Sequence, residues 1–293
     1  MTRRAWLLFS ALCVIWGLPY LLTRVAVRQV DPGTLVLFRC APAALLLLPF
    51  AAFKRTLGPA WRKVGWVALY AALEFALPWL LMSQAEKTIS SSLTAVLVAS
   101  VPIMAVVLYR FTGAHEHLSL KRGFGLVLGA AGVVVLVGVD VRGSSLVAVI
   151  EMLLVCVGYT IAPLVISTKL HDLSGEGVVS LALGLVAIVY APYGLTHLPS
   201  TMSASVTWSV ILLIAVPTIM GMLAFFALIV EAGPARSTVV TYVNPAIAVL
   251  LGVLLLNEPL TAGLLIGFPM IIIGSILGTS TEELPELDVH QAG

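Results

Sequence analysis

Long apolar stretches separated by short polar segments run the length of the chain. A helix that crosses a bilayer needs about 20 mostly apolar residues. The stretches are roughly twice as long as a membrane β-strand and do not alternate, so they favour helices over a β-barrel. The pattern predicts an all-α membrane protein with ten transmembrane helices over 6–23, 34–52, 64–83, 90–110, 121–139, 145–167, 177–195, 207–230, 236–256 and 260–280.

Composition narrows the class of protein. Hydrophobic residues make up 60% of the chain and charged residues 10%, against about 25% charged in soluble proteins. That composition excludes a soluble enzyme, and a net charge of +2 gives no sign of a nucleic-acid partner. The three cysteines, Cys13, Cys40 and Cys156, lie inside apolar stretches and predict neither disulfides nor a metal site. The expected partners are the lipid bilayer and a small-molecule substrate, without a cofactor.

Positive charge in the loops predicts the orientation. Lys and Arg are concentrated on the side of the predicted bundle that holds the N-terminus, eleven against four. Cytoplasmic loops carry such an excess, so both termini are expected in the cytoplasm. Residues 281–293 are predicted to form an acidic cytoplasmic tail. The expected location is the plasma membrane, as a bacterial inner-membrane protein that works as a monomer.

Similar features recur at a nearly constant separation. The separation is 141 to 143 residues for Gly17/Gly158, Pro102/Pro245, Glu116/Glu258, Gly125/Gly267 and Gly132/Gly274. This predicts two five-helix repeats, 1–141 and 142–280. An odd number of helices per repeat inserts the copies in opposite orientations, a plan common among secondary transporters.

The stretch Ala235–Thr261 carries the most specific similarity. It reads ARSTVVTYVNPAIAVLLGVLLLNEPLT and resembles the ten-helix EamA-type branch of the drug/metabolite transporter superfamily. Trp16-Gly17, the Asp31-Pro32 approach to helix 2 and the two E-x-L-[ST] loops agree with it. Within that branch the chain is similar to YddG-type exporters of aromatic amino acids. The resemblance implies a central cavity lined by helices 1–4 and 6–9, with helices 5 and 10 in a packing role.

Several polar and aromatic residues fall in the middle third of their predicted helices. Glu74 lies about 15 Å into helix 3 at 1.5 Å per residue, where a carboxylate suggests function. It could carry a proton, bind a substrate ammonium or pair with a neighbouring helix. The residues predicted to line one central substrate cavity are Trp16, Tyr20, Glu74, Pro78, Tyr159, Tyr242 and Asn244. Core packing is the alternative for each aromatic residue.

We expect structural roles for two prolines, one arginine and the paired glycines. Pro102 and Pro245 occupy matched positions and are expected to act as hinges or kinks. Arg39, about 9 Å into helix 2, is expected to reach the outer interface or to pair with Asp31 or Glu151. Gly-x-x-x-Gly spacings in helices 5 and 10 predict close helix packing, against either the other repeat or another protomer.

The sequence therefore favours a secondary transporter that exports small amphipathic metabolites by alternating access. The resemblance suggests amino acids with aromatic or other apolar side chains. An intramembrane enzyme acting on a lipid or metabolite is the alternative, although the chain contains no P-loop and no recognisable catalytic motif. A channel or receptor would not need the repeat.

Overall fold

The computed structural model describes residues 2–111, 120–140, 146–232 and 240–279, and within these ranges the chain is helical without a strand. A short helix, Leu57–Arg62, separates the second and third long helices. The main helices are α1 (Arg3–Ile15 and Leu18–Ala26), α2 (Pro32–Phe53), α3 (Val64–Ala85), α4 (Ser91–Val98 and Val101–Phe111), α5 (Leu120–Asp140), α6 (Leu146–Lys169), α7 (Gly175–Thr196), α8 (Ala204–Ala232), α9 (Val240–Leu256) and α10 (Ala262–Thr279).

The apolar helices expose large hydrophobic side chains on the outer surface of the protein. Six of the described helices, α1, α2, α3, α6, α7 and α8, are long and apolar enough to cross a membrane, and α4, α5, α9 and α10 contain shorter apolar stretches. Large apolar side chains such as Leu45, Val189 and Val230 are mostly exposed. A soluble protein does not expose so much contiguous apolar surface. The prediction of an all-α membrane protein is therefore confirmed.

Four of the helices are irregular near a proline. α1 is interrupted at Trp16–Gly17, three residues before Pro19, and α4 between Val98 and Val101, next to Pro102. α3 contains a π-helical turn at Ala72–Ala76 and α8 one at Ile214–Met220. Proline has no N–H to donate to the preceding turn, and π-helical turns are frequent at functional sites. Such interruptions free backbone carbonyls inside the protein.

Glycines let α5 and α10 pack backbone to backbone. A Cβ on Gly274 would lie 2.5 Å from the Cα atom of Gly129, and a Cβ on Gly132 would lie 2.9 Å from the Gly267 carbonyl oxygen. Neither contact leaves room for a side chain. The sequence left the partner of these helices open, and the structure pairs them with each other within one chain.

Ion pairs join the helix ends on the predicted cytoplasmic side. Lys54 at the end of α2 lies 2.8 Å from Glu176 of α7, and Lys63 lies 2.6 Å from Asp172 after α6. The hydrogen bond from Lys63 lowers the pKa of the exposed Asp172 carboxyl. Exposed pairs of this kind contribute little stability. The first E-x-L-[ST] loop with Glu116, the junction at 141–142 and the tail 281–293 lie outside the described residues.

Candidate functional site

The π-helical turn of α3 brings Glu74 and Pro78 against α6. A Cβ on Gly158 would lie 2.6 Å from the Leu73 carbonyl oxygen and 3.2 Å from Cγ of Pro78. In a π-helix the Leu73 carbonyl would accept from residue 78, where proline has no N–H. The carbonyl faces Gly158 instead. Glu74 is half-buried beside this contact.

Tyr159 of α6 lies close to several polar and aromatic side chains of the neighbouring helices. Its ring lies next to Gly158, and its hydroxyl is within electrostatic range of both Glu74 and Arg39 and close to Trp79. Tyr20 of α1 is buried and lies near Tyr159. Four of the predicted site residues, Tyr20, Glu74, Pro78 and Tyr159, are thus brought together.

Arg39 lies in this group, and the expectation that it would snorkel or pair with Asp31 or Glu151 is wrong. Its side chain is 5% exposed. The guanidinium carbon is 3.4 Å from the centroid of the Trp79 ring, and Nη2 is 3.5 Å from Oγ1 of Thr218. An aromatic face attracts a buried guanidinium, so no carboxylate is required. Asp31 instead accepts a 2.9 Å hydrogen bond from the Gly33 N–H at the start of α2.

The predicted residues Trp16 and Asn244 form a second group between α1, α8 and α9. The ring centroids of Trp16 and Phe225 are 4.8 Å apart. The Asn244 side chain is buried, and its backbone carbonyl would lie 3.2 Å from a Cβ on Gly17. The Tyr242 side chain lies outside the described residues. A single cavity joining the two groups stays a prediction.

Two clefts open elsewhere on the molecule. One of about 310 Å³ lies at the predicted cytoplasmic end and is lined by Arg4, Phe50, Lys54, Glu176, Leu223, Ala227, Val230 and Glu231. The other, of about 420 Å³, is an apolar groove between α2 and α7. Neither contains a predicted site residue.

The matched prolines differ in their local structure. Pro102 is the second residue of the second piece of α4, immediately after the interruption of that helix. Pro245 is the sixth residue of an unbroken stretch of α9, Val240–Leu256. Their role as hinges stays a prediction.

A second polar cluster, missed by the sequence analysis, ties together the ends of α1, α3 and α4. The Glu258 carboxylate accepts hydrogen bonds of 2.5–3.0 Å from the backbone N–H groups and hydroxyls of Ser91 and Ser92. Arg24 donates to the backbone carbonyl of Glu86. The Glu86 side chain is fully buried. Its position beside Lys87 is typical of an ordinary loop residue, so no sequence pattern distinguishes it.

Comparison with known proteins identifies the family to which this chain is similar. Residues 3–138 and again residues 146–280 match the EamA-like transporter family. The chain is 27% identical over 273 residues to the Uncharacterized inner membrane transporter YedA of Escherichia coli strain K12, covering 92% of this chain and 88% of that protein. It is 23% identical to the Uncharacterized transporter YdfC of Bacillus subtilis strain 168, covering 92% and 89% of the two chains.

A solved crystal structure of a protein with 19% sequence identity superposes with a TM-score of 0.65 and covers 94% of this chain and 97% of its own. That likeness concerns the fold alone. The two family matches together span nearly the whole chain, and both relatives are named as transporters. The intramembrane-enzyme alternative is therefore set aside. The chain belongs to the EamA-like transporter family and is a membrane transporter, not an enzyme.

Proposed function

We propose that this transporter exports small amphipathic metabolites, foremost amino acids with aromatic or other apolar side chains, by alternating access. The observation that carries the proposal is the buried group around Tyr159. It combines a carboxylate, Glu74, and a guanidinium, Arg39, with aromatic rings near both.

This combination of groups matches the chemistry of an amino acid. Glu74 offers a carboxylate to the substrate ammonium. Arg39 offers a guanidinium, which binds carboxylates well because its N–H donors form a planar fork. Its Nε has no hydrogen-bond partner in the described part of the chain, so one donor is free for a ligand. The rings of Tyr20, Trp79 and Tyr159 provide the apolar contact.

Alternating access requires two halves that move against each other. We take residues 1–141 and 142–280 as inverted repeats of five spans each. Helix contacts between α5 and α10 support this arrangement. Gly132 packs against the Gly267 carbonyl, and Gly274 packs against the Gly125 carbonyl. Adding 142 to the number of Gly132 gives Gly274, and subtracting 142 from that of Gly267 gives Gly125, as expected for two copies that exchange places about a pseudo-two-fold axis.

Polar contacts at the helix ends follow the same exchange. The Thr34 hydroxyl donates to the His197 carbonyl. With an offset of 142, residues 34 and 197 correspond to residues 176 and 55 of the other repeat. Lys54, next to residue 55, pairs with Glu176. The π-helical turns of α3 and α8 begin 142 residues apart, at Ala72 and Ile214. The family also matches the chain twice, once in each half.

Substrate discrimination by Arg39 tests the proposal. Purified protein in proteoliposomes is assayed by counterflow of labelled tryptophan and, in separate assays, of labelled tryptamine and labelled indole-3-propionate, each with the same unlabelled compound inside. Wild type should exchange tryptophan best. The variant Arg39→Gln should lose about tenfold or more of its tryptophan exchange, because a hydrogen bond to a charged group contributes about 1.5–3 kcal/mol. Tryptamine, which has no carboxylate, should be affected far less.

The matched control is Arg28→Gln, because Arg28 is exposed after α1. It should exchange tryptophan like the wild type. Equal losses for tryptophan and tryptamine in Arg39→Gln would contradict a carboxylate-binding role. Absence of counterflow with each of several apolar amino acids in the wild type would overturn the substrate class.

A further inference from the structure

Glu86, immediately after the last residue of α3, holds a carboxylate with no access to solvent. Its side chain is 0% exposed, and neither carboxylate oxygen has a hydrogen-bond partner within the described ranges. An ionised carboxylate in such surroundings costs several kcal/mol unless it is paired. The group therefore requires a proton or a cation in this conformation.

Neither of the two neighbouring arginines donates a hydrogen bond to the Glu86 carboxylate. Arg24 of α1 donates to the backbone carbonyl of Glu86 rather than to its carboxylate. Arg39 of α2 lies over Trp79 and is within electrostatic range of Glu86. The other groups facing Glu86 are the carboxylate of Glu258, which binds Ser91 and Ser92, and the hydroxyl of Tyr20. Burial raises the pKa of the Glu86 carboxyl well above its usual range, and Arg24 lowers it less strongly.

Resting on the transport function and topology proposed above, we propose that Glu86 binds a proton taken from the outer side, and that this proton is required for the outer ends of α1, α3 and α4 to close. A proton from bulk water adds to a carboxylate oxygen of Glu86, and the reverse step returns it to water. When Glu86 is ionised, its carboxylate needs water or Arg24. Either partner breaks the closed arrangement, in which Arg24 holds the Glu86 carbonyl.

The sign of the coupling follows from linkage. The closed outer end binds the proton more tightly than the open one, so acid favours closure and closure is lost as the pH rises. The Tyr20 hydroxyl is within electrostatic range of both Glu86 and Tyr159, and the Tyr159 hydroxyl is within range of Glu74.

Hydrogen exchange of the outer end tests this without any substrate. The purified full chain in nanodiscs is exchanged at pH 5.5, 7.0 and 8.5, with rates corrected for intrinsic exchange, and peptides covering 84–96 are followed by mass spectrometry. Wild type should lose protection as the pH rises. Glu86→Gln, which stays neutral, should exchange at least tenfold more slowly than wild type at pH 8.5 and show no pH response.

Two further variants keep the test decisive. Glu86→Asp retains a titratable group and should keep a pH response even if the Gln variant folds poorly. Glu151→Gln removes a half-buried carboxylate at the start of α6 and should behave like the wild type.

Three results would overturn the proposal. These are a wild-type pH response in Glu86→Gln, constant protection of the wild type from pH 5.5 to 8.5, and a response to sodium replacing N-methylglucamine at fixed pH. None of them involves transport. A failure here is therefore distinct from a failure of the tryptophan counterflow.

Discussion

At the scale of single residues, the interior combines few charges with many rings. Glu74 and Arg39 are each within electrostatic range of the Tyr159 hydroxyl. A charged side chain at this depth is expensive and usually functional. The two residues therefore have different expected roles, Arg39 toward a carboxylate and Glu74 toward a cation or a proton.

Replacement of Glu74 by Gln tests its role. The substitution preserves shape, so expression and thermal stability should stay close to those of the wild type. Counterflow of tryptophan should fall by about tenfold or lose its dependence on pH, because Gln neither pairs with an ammonium nor releases a proton. The measurement is the counterflow rate from pH 5 to 8. Wild-type rates across that range would leave Glu74 with a structural role only.

At the scale of helices, glycine residues determine how closely α5 and α10 pack against each other. The hydrophobic effect does not drive helices together inside a lipid bilayer. Membrane helices associate instead through close packing, which small residues at the interface permit. A side chain on Gly132 meets both Cβ of Met270 at 2.8 Å and the Gly267 carbonyl at 2.9 Å. The position cannot accept a larger residue without separating the two helices.

We expect Gly132→Leu to destabilise the protein by about 1–3 kcal/mol, the usual cost of overpacking. The measurement is the thermal unfolding midpoint in detergent, followed by size-exclusion chromatography. Gly138→Leu on the same helix is the matched control, because a Cβ there has no neighbour within 4 Å. Equal midpoints for the two variants would argue against the α5–α10 contact.

At the scale of the whole molecule, the proposed topology has both termini in the cytoplasm. Lys and Arg flanking short loops determine orientation during insertion. Fusions of green fluorescent protein and alkaline phosphatase to Gly293 check it in intact bacteria. The fluorescent fusion should be bright and the phosphatase fusion inactive. An active phosphatase fusion, or a tag on Met1 accessible from the periplasm, would be incompatible with the arrangement.

The sequence predicted some of these features because they depend on position along a helix. The positions of Glu74, Pro78 and Tyr159 along their predicted helices were enough to place all three near the middle of the membrane. The surroundings of Arg39 depend instead on how far α2 is rotated about its axis relative to Trp79. The contact of Trp16 with Phe225 depends on which face of α1 meets α8. Rotation of this kind leaves no trace in hydropathy, because nearly every face of these helices is apolar.

The bond between Glu258 and the start of α4 has a consequence for biosynthesis. Ser91 and Ser92 leave the ribosome about 166 residues before the carboxylate that binds their N–H groups. Until then, the backbone N–H groups of Ser91 and Ser92 at the first turn of α4 lack the carboxylate that accepts from them. The nascent first half should therefore be a preferred substrate for membrane quality-control proteases. Translational pausing before residue 258 should lower the yield of the protein more than pausing after it.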